Sequence, residues 1–177
     1  MEEAKSNHIL LVEDTLTQAI YMQHALEGAG YKVSLARSGE KALAALEEQE
    51  TNGAALPDMV LSDINMPGID GMEMIAAIKQ REKTKNLHCV LLVTPSAISE
   101  LKDLLACPAD GIVFKSGSEA KFVNQVKLVD KNLAAIGRDA VKLEKTEILL
   151  SSDDPLTSKH KLMLYLAQSY QQILDSE

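Results

Sequence analysis

Three carboxylates in this sequence follow short apolar runs. Glu13 and Asp14 come directly after residues 8–12, and Asp63 comes shortly after the run at 59–61. Clustered carboxylates repel one another, so they need a cation between them. Hard oxygen ligands that leave room for water suit Mg²⁺, which proteins typically hold with a few carboxylates and phosphate oxygens. With its charge neutralised, one carboxylate can attack phosphorus as a nucleophile.

Two further polar residues follow apolar runs later in the chain. Thr94 follows residues 89–93, and Lys115 follows residues 112–114. Phosphoryl transfer needs positive charge and hydrogen-bond donors around the equatorial oxygens of the transferred group. An ammonium and a hydroxyl can supply both, so the combination with the three carboxylates favours phosphoryl chemistry.

Each of these residues also has a purely structural interpretation. Asp14 or Thr15 can cap the amino end of the helix that follows. Asp63, taken alone, can be a turn former ahead of a Pro-Gly turn. Thr94 can cap the next helix, and Lys115 can be a solvated surface residue. The chemical interpretation depends on all five candidates standing together at one edge of the fold.

The elements that would position these residues can be read from the hydrophobic pattern. Continuous apolar runs are typical of strands covered on both faces, the alternation at 31–36 also indicates a strand, and amphipathic stretches between them indicate helices. The predicted strands are 8–12, 31–36, 59–61, 89–93 and 112–114, and the predicted helices are 16–28, 38–46, 72–80 and 98–105, with another helix from 118. This alternation predicts an α/β fold with a doubly wound five-stranded parallel sheet. Ligands bind such sheets at the carboxyl ends of the strands, where the candidates lie.

The pattern also predicts which helical side chains face the core. The expected inward residues are Ile20, Ala25, Leu26, Leu43, Leu46, Met74, Ile75 and Ile78. Residues 49–54 are polar and are expected to form a loop. Cys89 and Cys107 sit in apolar surroundings without CxxC spacing, so we expect buried thiols rather than a disulfide or a zinc site.

The composition describes a packed acidic protein. Of the 177 residues, 46% are hydrophobic, which predicts one core of ordinary domain size rather than disorder. The net charge of −8 argues against non-specific binding to DNA or to anionic membranes. No apolar run approaches membrane-spanning length, and the first residues lack the pattern of a signal peptide. We therefore expect a cytoplasmic protein without a nucleic-acid or membrane partner.

Four stretches of the sequence carry a family resemblance. They are Leu11-Val12-Glu13-Asp14, the stretch Val60-Leu61-Ser62-Asp63-Ile64-Asn65-Met66-Pro67-Gly68-Ile69-Asp70-Gly71, Leu92-Val93-Thr94, and Ala109-Asp110-Gly111 leading to Phe114-Lys115. In these stretches, with their order and spacing, the chain resembles the receiver domain of two-component response regulators. The resemblance covers roughly residues 6 to 131.

The resemblance implies a role for each candidate residue. Asp63 would be the phosphoacceptor, charged by a histidine kinase or a phosphotransfer domain. Thr94 and Lys115 would contact the phosphoryl group. The Mg²⁺ ligands would be Glu13, Asp14, the Asp63 side chain and the backbone carbonyl of Asn65. Such a protein is a phosphoacceptor switch rather than an enzyme, with at most self-catalysed phosphorylation and dephosphorylation.

Three positions depart from the usual pattern of that family. Pro95 follows the switch threonine and has no backbone N–H to offer a phosphoryl group. Ser116 stands where the family normally has a proline, often with a cis bond, which costs about 3 kcal/mol before any other residue. Ile112 occupies the aromatic switch position. The chemistry is therefore expected to be intact and the output mechanism altered.

The end of the chain predicts a helical extension. We divide the chain into a receiver domain at 1–131 and an extension at 132–177. Inward positions alternate in steps of three and four, as in a coiled coil, at Val126, Val129, Leu133, Ile136, Ala140, Leu143, Glu147 and Leu150. A second helix is expected over 156–174. This seam favours a helix that pairs with a second copy, giving a homodimer.

Two other functions fit the same sequence. One is a pseudo-receiver that is never phosphorylated and serves as a dimerisation scaffold. The other is the regulatory fragment of a larger enzyme, such as a diguanylate cyclase or a hybrid kinase. A haloacid-dehalogenase-type hydrolase would want an aspartate two residues after its nucleophile, where this chain has Asn65. We therefore discount that class.

Overall fold

The computed structural model describes residues 7–94, 107–115 and 117–136. Nine elements lie within these ranges. The strands are β1 (His8–Val12), β2 (Lys32–Ala36), β3 (Met59–Asp63), β4 (His88–Val93) and β5 (Gly111–Phe114), and the helices are α1 (Leu16–Gly28), α2 (Gly39–Asn52), α3 (Gly71–Gln80) and α4 (Glu119–Ile136). The five predicted strands are confirmed, and so are the helices predicted to follow β1, β2, β3 and β5.

The strands form one parallel sheet in the order β2-β1-β3-β4-β5. β1 and β3 are neighbours at its centre, so Glu13 and Asp63 reach the carboxyl edge side by side. Lys115 follows β5, which is separated from β3 by β4 alone. The topology thus brings residues from distant parts of the sequence to one edge.

Helices cover both faces of the sheet and build two apolar layers. On one face Leu46 of α2 and Met74, Ile75 and Ile78 of α3 are buried against the sheet. On the other face Leu26 of α1 and Phe122 of α4 are buried. Because both faces are covered, all five residues of β3 are buried, as the continuous apolar run predicted.

The buried face of α1 differs from the prediction at one position. Ala25 and Leu26 are buried as expected, but Ile20 is 55% exposed. The buried stripe is instead completed by Ala19 and Met22. These residues recur at a spacing of three from Ala19, so they share one helical face, while Ile20 lies about 100° further around the helix.

The end of α2 was also predicted wrongly. Residues 49–54 were expected to form a polar loop, but the helix continues to Asn52. Gln49 and Glu50 in this stretch are good helix formers even though they are polar. The helix ends at Gly53, whose φ of 67° is the left-handed conformation that closes a helix, with its N–H donated back to the last turn.

Several predictions lie outside the described residues. They are the helix at 98–105, the departures at Pro95 and Ser116, and the coiled-coil seam and second helix beyond residue 136. The division of the chain at 131 and 132 stays a prediction. Both cysteines lie in the described ranges and are buried, as predicted. No helix in those ranges is long and apolar enough to cross a membrane.

Candidate functional site

Three carboxylates converge at the carboxyl edge of the sheet. Glu13, Asp14 and Asp63 each present an oxygen, and these oxygens lie within 4.8 Å of one another. Glu13 is fully buried, and Asp63 is 9% exposed. Carboxylates this close and this dry repel strongly unless a cation joins them. The predicted cluster is therefore present, and its donor set is all oxygen.

Both oxygens of the Glu13 carboxylate are engaged. Oε1 accepts a hydrogen bond from the Thr15 N–H at 3.1 Å, and Oε2 accepts one from Lys115 Nζ at 3.2 Å. Burial raises the pKa of Glu13, and the neighbouring charge of Asp63 raises it too, while the bonds from Thr15 and Lys115 oppose the shift. Thr15 stands at the N-cap of α1, but its side chain makes no capping bond.

Lys115 is the cation of the site. Its ammonium lies 3.1 Å from Asp63 Oδ2 and 3.2 Å from Glu13 Oε2, and it donates to Gln18 Oε1 at 2.8 Å. Only 20% of its side chain is exposed. The interpretation of Lys115 as a solvated surface residue is therefore wrong.

Asp63 serves both as a member of the cluster and as a turn residue. Its Oδ1 accepts a hydrogen bond from the Ile64 N–H at 2.8 Å, while Oδ2 faces Lys115. Gly71 packs against the Asp63 backbone so tightly that a Cβ on Gly71 would lie 2.1 Å from the Asp63 carbonyl oxygen. Asp63 is thus a turn residue that also belongs to the acidic cluster, and its chemical role stays a prediction.

The loop between β3 and α3 is tied down at several points. Glu40 of α2 accepts a hydrogen bond from the Ile69 N–H at 2.9 Å, and this bond lowers the pKa of Glu40. Gly68, with φ of 81°, leaves room for the Glu40 carboxylate. Asp70 and Glu73 form a reciprocal capping box at the start of α3. These ties hold the segment that follows Asp63.

Thr94 directly follows β4, and Asn65 lies two residues after the end of β3. Thr94 is exposed and, together with Lys115, lines a groove of about 520 Å³ on the α1 side of the sheet. Asn65 is exposed two residues beyond Asp63. Contact of Thr94 with a phosphoryl group, and coordination of a metal by the Asn65 carbonyl, stay predictions. Ile112 is buried in the apolar layer beneath α2 and α3.

Comparison with known proteins decides the family. A family model described as the response regulator receiver domain matches residues 9–127. The chain belongs to this family. Two relatives of the receiver domain are a probable methanogenesis regulatory protein, FilR2, of Methanothrix harundinacea and the phosphate regulon transcriptional regulatory protein PhoB of Rhizobium meliloti. FilR2 is 35% identical over 53% of this chain and 62% of its own length. PhoB is 30% identical over 67% of this chain and 50% of its own length.

Solved structures share the fold of this receiver domain. The chemotaxis response regulator CheY4 of Vibrio cholerae superposes with a TM-score of 0.61 at 26% identity, over 71% of this chain and 99% of CheY4. The phosphorylated cyanobacterial phytochrome response regulator RcpA gives 0.60 at 28% identity, over 73% and 95%. The response regulator TrrA of Thermotoga maritima, in complex with Mg²⁺ and BeF, gives 0.54 at 26% identity, over 70% and 98%.

Sequence reasoning missed two residues that complete the edge of this receiver domain. Arg37 donates from Nη2 to the Asp14 carbonyl oxygen at 2.5 Å, and Gln18 accepts from Lys115. Arg37 directly follows β2, so its position at the carboxyl end of a strand was a usable signal. Gln18 lies on α1, and only the packing of that helix beside β5 brings it to Lys115.

Proposed function

We propose that this receiver domain accepts a phosphoryl group on Asp63 from a phosphohistidine of a histidine kinase or phosphotransfer domain, with Mg²⁺ bound. The observation that carries the proposal is the position of the Lys115 ammonium, 3.1 Å from Asp63 Oδ2 and 3.2 Å from Glu13 Oε2. Positive charge fixed beside the attacking carboxylate is what phosphoryl transfer requires of a protein.

The acidic cluster fits a magnesium ion. Glu13, Asp14 and Asp63 offer carboxylate oxygens alone, within 4.8 Å of one another, and hard oxygen donors are the ligands that Mg²⁺ prefers. The Asn65 carbonyl is the proposed fourth protein ligand. When bound, the ion would neutralise the carboxylates and hold an oxygen of the incoming phosphoryl group. TrrA, a structural relative at 26% identity, is in complex with Mg²⁺ and BeF.

The proposed reaction is an in-line displacement at phosphorus. An oxygen of the Asp63 carboxylate attacks the phosphorus, and the new O–P bond forms as the P–N bond to the donor imidazole breaks. The electron pair of that bond returns to the ring nitrogen, and the ring leaves as neutral imidazole because its other nitrogen already carries a proton. The Lys115 ammonium and the Thr94 hydroxyl donate hydrogen bonds to the phosphoryl oxygens.

The alternative of a scaffold that is never phosphorylated is less well supported. Lys115 lies between two carboxylates, and Glu40 holds the loop after Asp63. Both arrangements favour a working phosphoacceptor site over a decayed one. As part of the same proposal, the switch passes its signal through association of two copies along the C-terminal helix. The first part of that helix, α4, is packed on the sheet through Phe122 and Val126.

The deciding experiment measures the intact mass after incubation with acetyl phosphate and Mg²⁺. Wild type should gain the mass of one phosphoryl group, and Asp63→Asn should gain none. Asp58→Asn is the matched control. Asp58 directly precedes β3, at the end opposite Asp63, and accepts a hydrogen bond from the His8 N–H there. This control should be modified like wild type. An unmodified wild type would overturn the proposal, and sizing of both forms would test the change in association.

A further inference from the structure

Gln125 of α4 makes two short hydrogen bonds to the backbone of one residue of β5. Its Oε1 accepts from the Phe114 N–H at 2.6 Å, and its Nε2 donates to the Phe114 carbonyl oxygen at 2.7 Å. Gln125 is 3% exposed and lies in the apolar layer between Phe122 and Val126. A buried amide in such surroundings is costly unless both of its polar atoms are paired, and here both are.

The position of these bonds in the sheet explains their geometry. Among the residues that the structure describes, β5 is an edge strand, so its backbone groups that point away from β4 face no further strand there. The N–H and C=O of one residue point to the same side of a strand, and those of Phe114 point outward. The Gln125 amide offers the same donor and acceptor that a sixth strand would offer. It therefore closes the edge at this residue.

The next residue is held from the other side. The Lys115 N–H donates to the Val93 carbonyl oxygen of β4 at 2.8 Å. The chain is thus fixed by Gln125 on its outer side at Phe114 and by β4 on its inner side at Lys115. These two contacts fix the backbone from which the Lys115 side chain extends toward Asp63. The lysine side chain is long and flexible, so a fixed backbone helps to keep its ammonium in one position.

We propose that Gln125 is a positioning residue for phosphoryl transfer, which holds the end of β5 so that the Lys115 ammonium stays between Glu13 and Asp63. The inference rests on the proposed function of Asp63 as phosphoacceptor. Gln125 touches no reacting atom and acts only through Phe114 and Lys115. Its effect is therefore expected on the rate of phosphorylation and not on the metal ligands, which follow β1 and β3.

The test compares Gln125→Leu with Val126→Ala. Leucine fills a similar volume and removes both hydrogen bonds to Phe114. Val126 is the next residue of α4 and is fully buried, so its truncation weakens the same packing without touching the edge of β5. At saturating acetyl phosphate and Mg²⁺, Gln125→Leu should be phosphorylated about 10-fold more slowly, since small misplacements of a catalytic group have effects of this order or more. The phosphorylation rate of Val126→Ala should stay within about 2-fold of wild type. The Mg²⁺ dissociation constants of both variants should also stay within about 2-fold of the wild-type value.

A second measurement is independent of phosphorylation. Reductive methylation of Lys115, followed by mass spectrometry without any phosphodonor, should be several-fold faster in Gln125→Leu than in wild type or Val126→Ala. If Gln125→Leu does not fold, Gln125→Glu serves instead, because it keeps the acceptor for the Phe114 N–H and loses the donor to the Phe114 carbonyl.

The outcomes separate the two proposals. If wild type takes no phosphoryl group, the proposed function fails, and the methylation rate of Lys115 alone decides the role of Gln125. If wild type is phosphorylated and the Gln125 variant matches Val126→Ala in both measurements, the positioning role is overturned. An equal loss of Mg²⁺ affinity and of rate would also overturn it, because that pattern indicates general disruption.

Discussion

The Lys115 ammonium, carried at the end of β5, reaches past β4 to lie 3.1 Å from Asp63 Oδ2 on β3. The same ammonium contacts Glu13 of β1 at 3.2 Å, so one cation links three strands that are far apart in sequence. Its charge balances part of a cluster that would otherwise be strongly repulsive. The predictions below follow from this and related contacts.

Removing the cation should slow phosphorylation while leaving the acidic ligands in place. We expect Lys115→Met to lower the rate with acetyl phosphate about 100-fold, the usual effect of deleting one donor that stabilises transition-state charge. The time course of the intact mass gives the rate. Lys127→Met, an exposed change on α4, is the control and should match wild type. Equal phosphorylation rates for Lys115→Met and Lys127→Met would show that Lys115 takes no part in the reaction.

Two glycine-to-alanine changes should have opposite effects on stability. The Cβ of Gly71→Ala would lie 2.1 Å from the Asp63 carbonyl oxygen, so the backbone of the phosphoacceptor has to shift, at a cost of about 1–3 kcal/mol. Gly28, the last residue of α1, has nothing within 4 Å of its Cβ position. Gly28→Ala should stabilise by about 0.5 kcal/mol through the unfolded state. Urea unfolding measures both, and a stable Gly71→Ala with normal phosphorylation would contradict the tight packing.

The ion pair between Lys79 and Asp110 should matter for stability more than for chemistry. Asp110 Oδ2 lies 2.6 Å from Lys79 Nζ and also accepts from the Cys89 N–H at 2.9 Å. Asp110→Ala leaves both donors without this partner, so we expect a loss of about 2 kcal/mol in the free energy of unfolding. The control Glu82→Ala breaks a pair in which Glu82 is 85% exposed, and its loss should stay below about 0.5 kcal/mol. Similar losses in the two variants would show that burial of the first pair contributes nothing.

Binding of Mg²⁺ should depend on pH through Glu13. Burial raises the pKa of Glu13, so its proton competes with the metal at a higher pH than for an ordinary glutamate, whose pKa is 4.5. The protonated carboxyl cannot coordinate the ion, and the affinity for Mg²⁺ should therefore fall as the pH is lowered, beginning above 4.5. Calorimetric titration across the acidic range measures this. Glu13→Gln should bind more weakly at neutral pH and lose this part of the pH dependence.

The exposed apolar side chains of α1 should receive the phosphohistidine protein. Leu16, Ile20 and Tyr21 are exposed on the helix that begins two residues after Asp14, beside the edge where the phosphoryl group must arrive. We expect Ile20→Asp to slow transfer from a phosphorylated histidine-containing donor protein about tenfold and to leave the rate with acetyl phosphate unchanged. Ala44→Asp, an exposed change on α2, is the control. If the donor protein phosphorylates Ile20→Asp as fast as wild type, the docking face lies elsewhere.

Most of the strands could be predicted from sequence because they are continuous apolar runs covered on both faces, whereas β2 could be predicted from its alternating pattern. The same signal placed the five candidates at one edge, since every parallel strand delivers its next residue there. Prediction was weaker wherever burial depends on partners. The exposure of Ile20 follows from which face of α1 meets the sheet, and the extra turn of α2 follows from helix propensity in residues that look like a loop.

The supporting contacts of the site could not be predicted from sequence. Gln125 reads as one polar position in an amphipathic helix, and nothing local indicates that it faces an edge strand. Gln18 likewise becomes a partner of Lys115 only because α1 packs on the sheet and brings Gln18 close to the end of β5. Gln125 lies 11 positions from Phe114 and Gln18 lies 97 positions from Lys115, and hydrophobic periodicity carries no information about which polar side chains pair across elements.

The strand order allows each strand to add to an edge of the sheet formed by the strands before it in sequence. β1, β2 and β3 form one contiguous block, and β4 and then β5 add to a single side, so no late strand has to insert between two earlier ones. Glu13, Asp14 and Asp63 are translated by the time β3 is complete, whereas Lys115 is translated only after β5. Synthesis of the three acidic residues therefore precedes synthesis of the lysine whose charge balances theirs in the finished sheet.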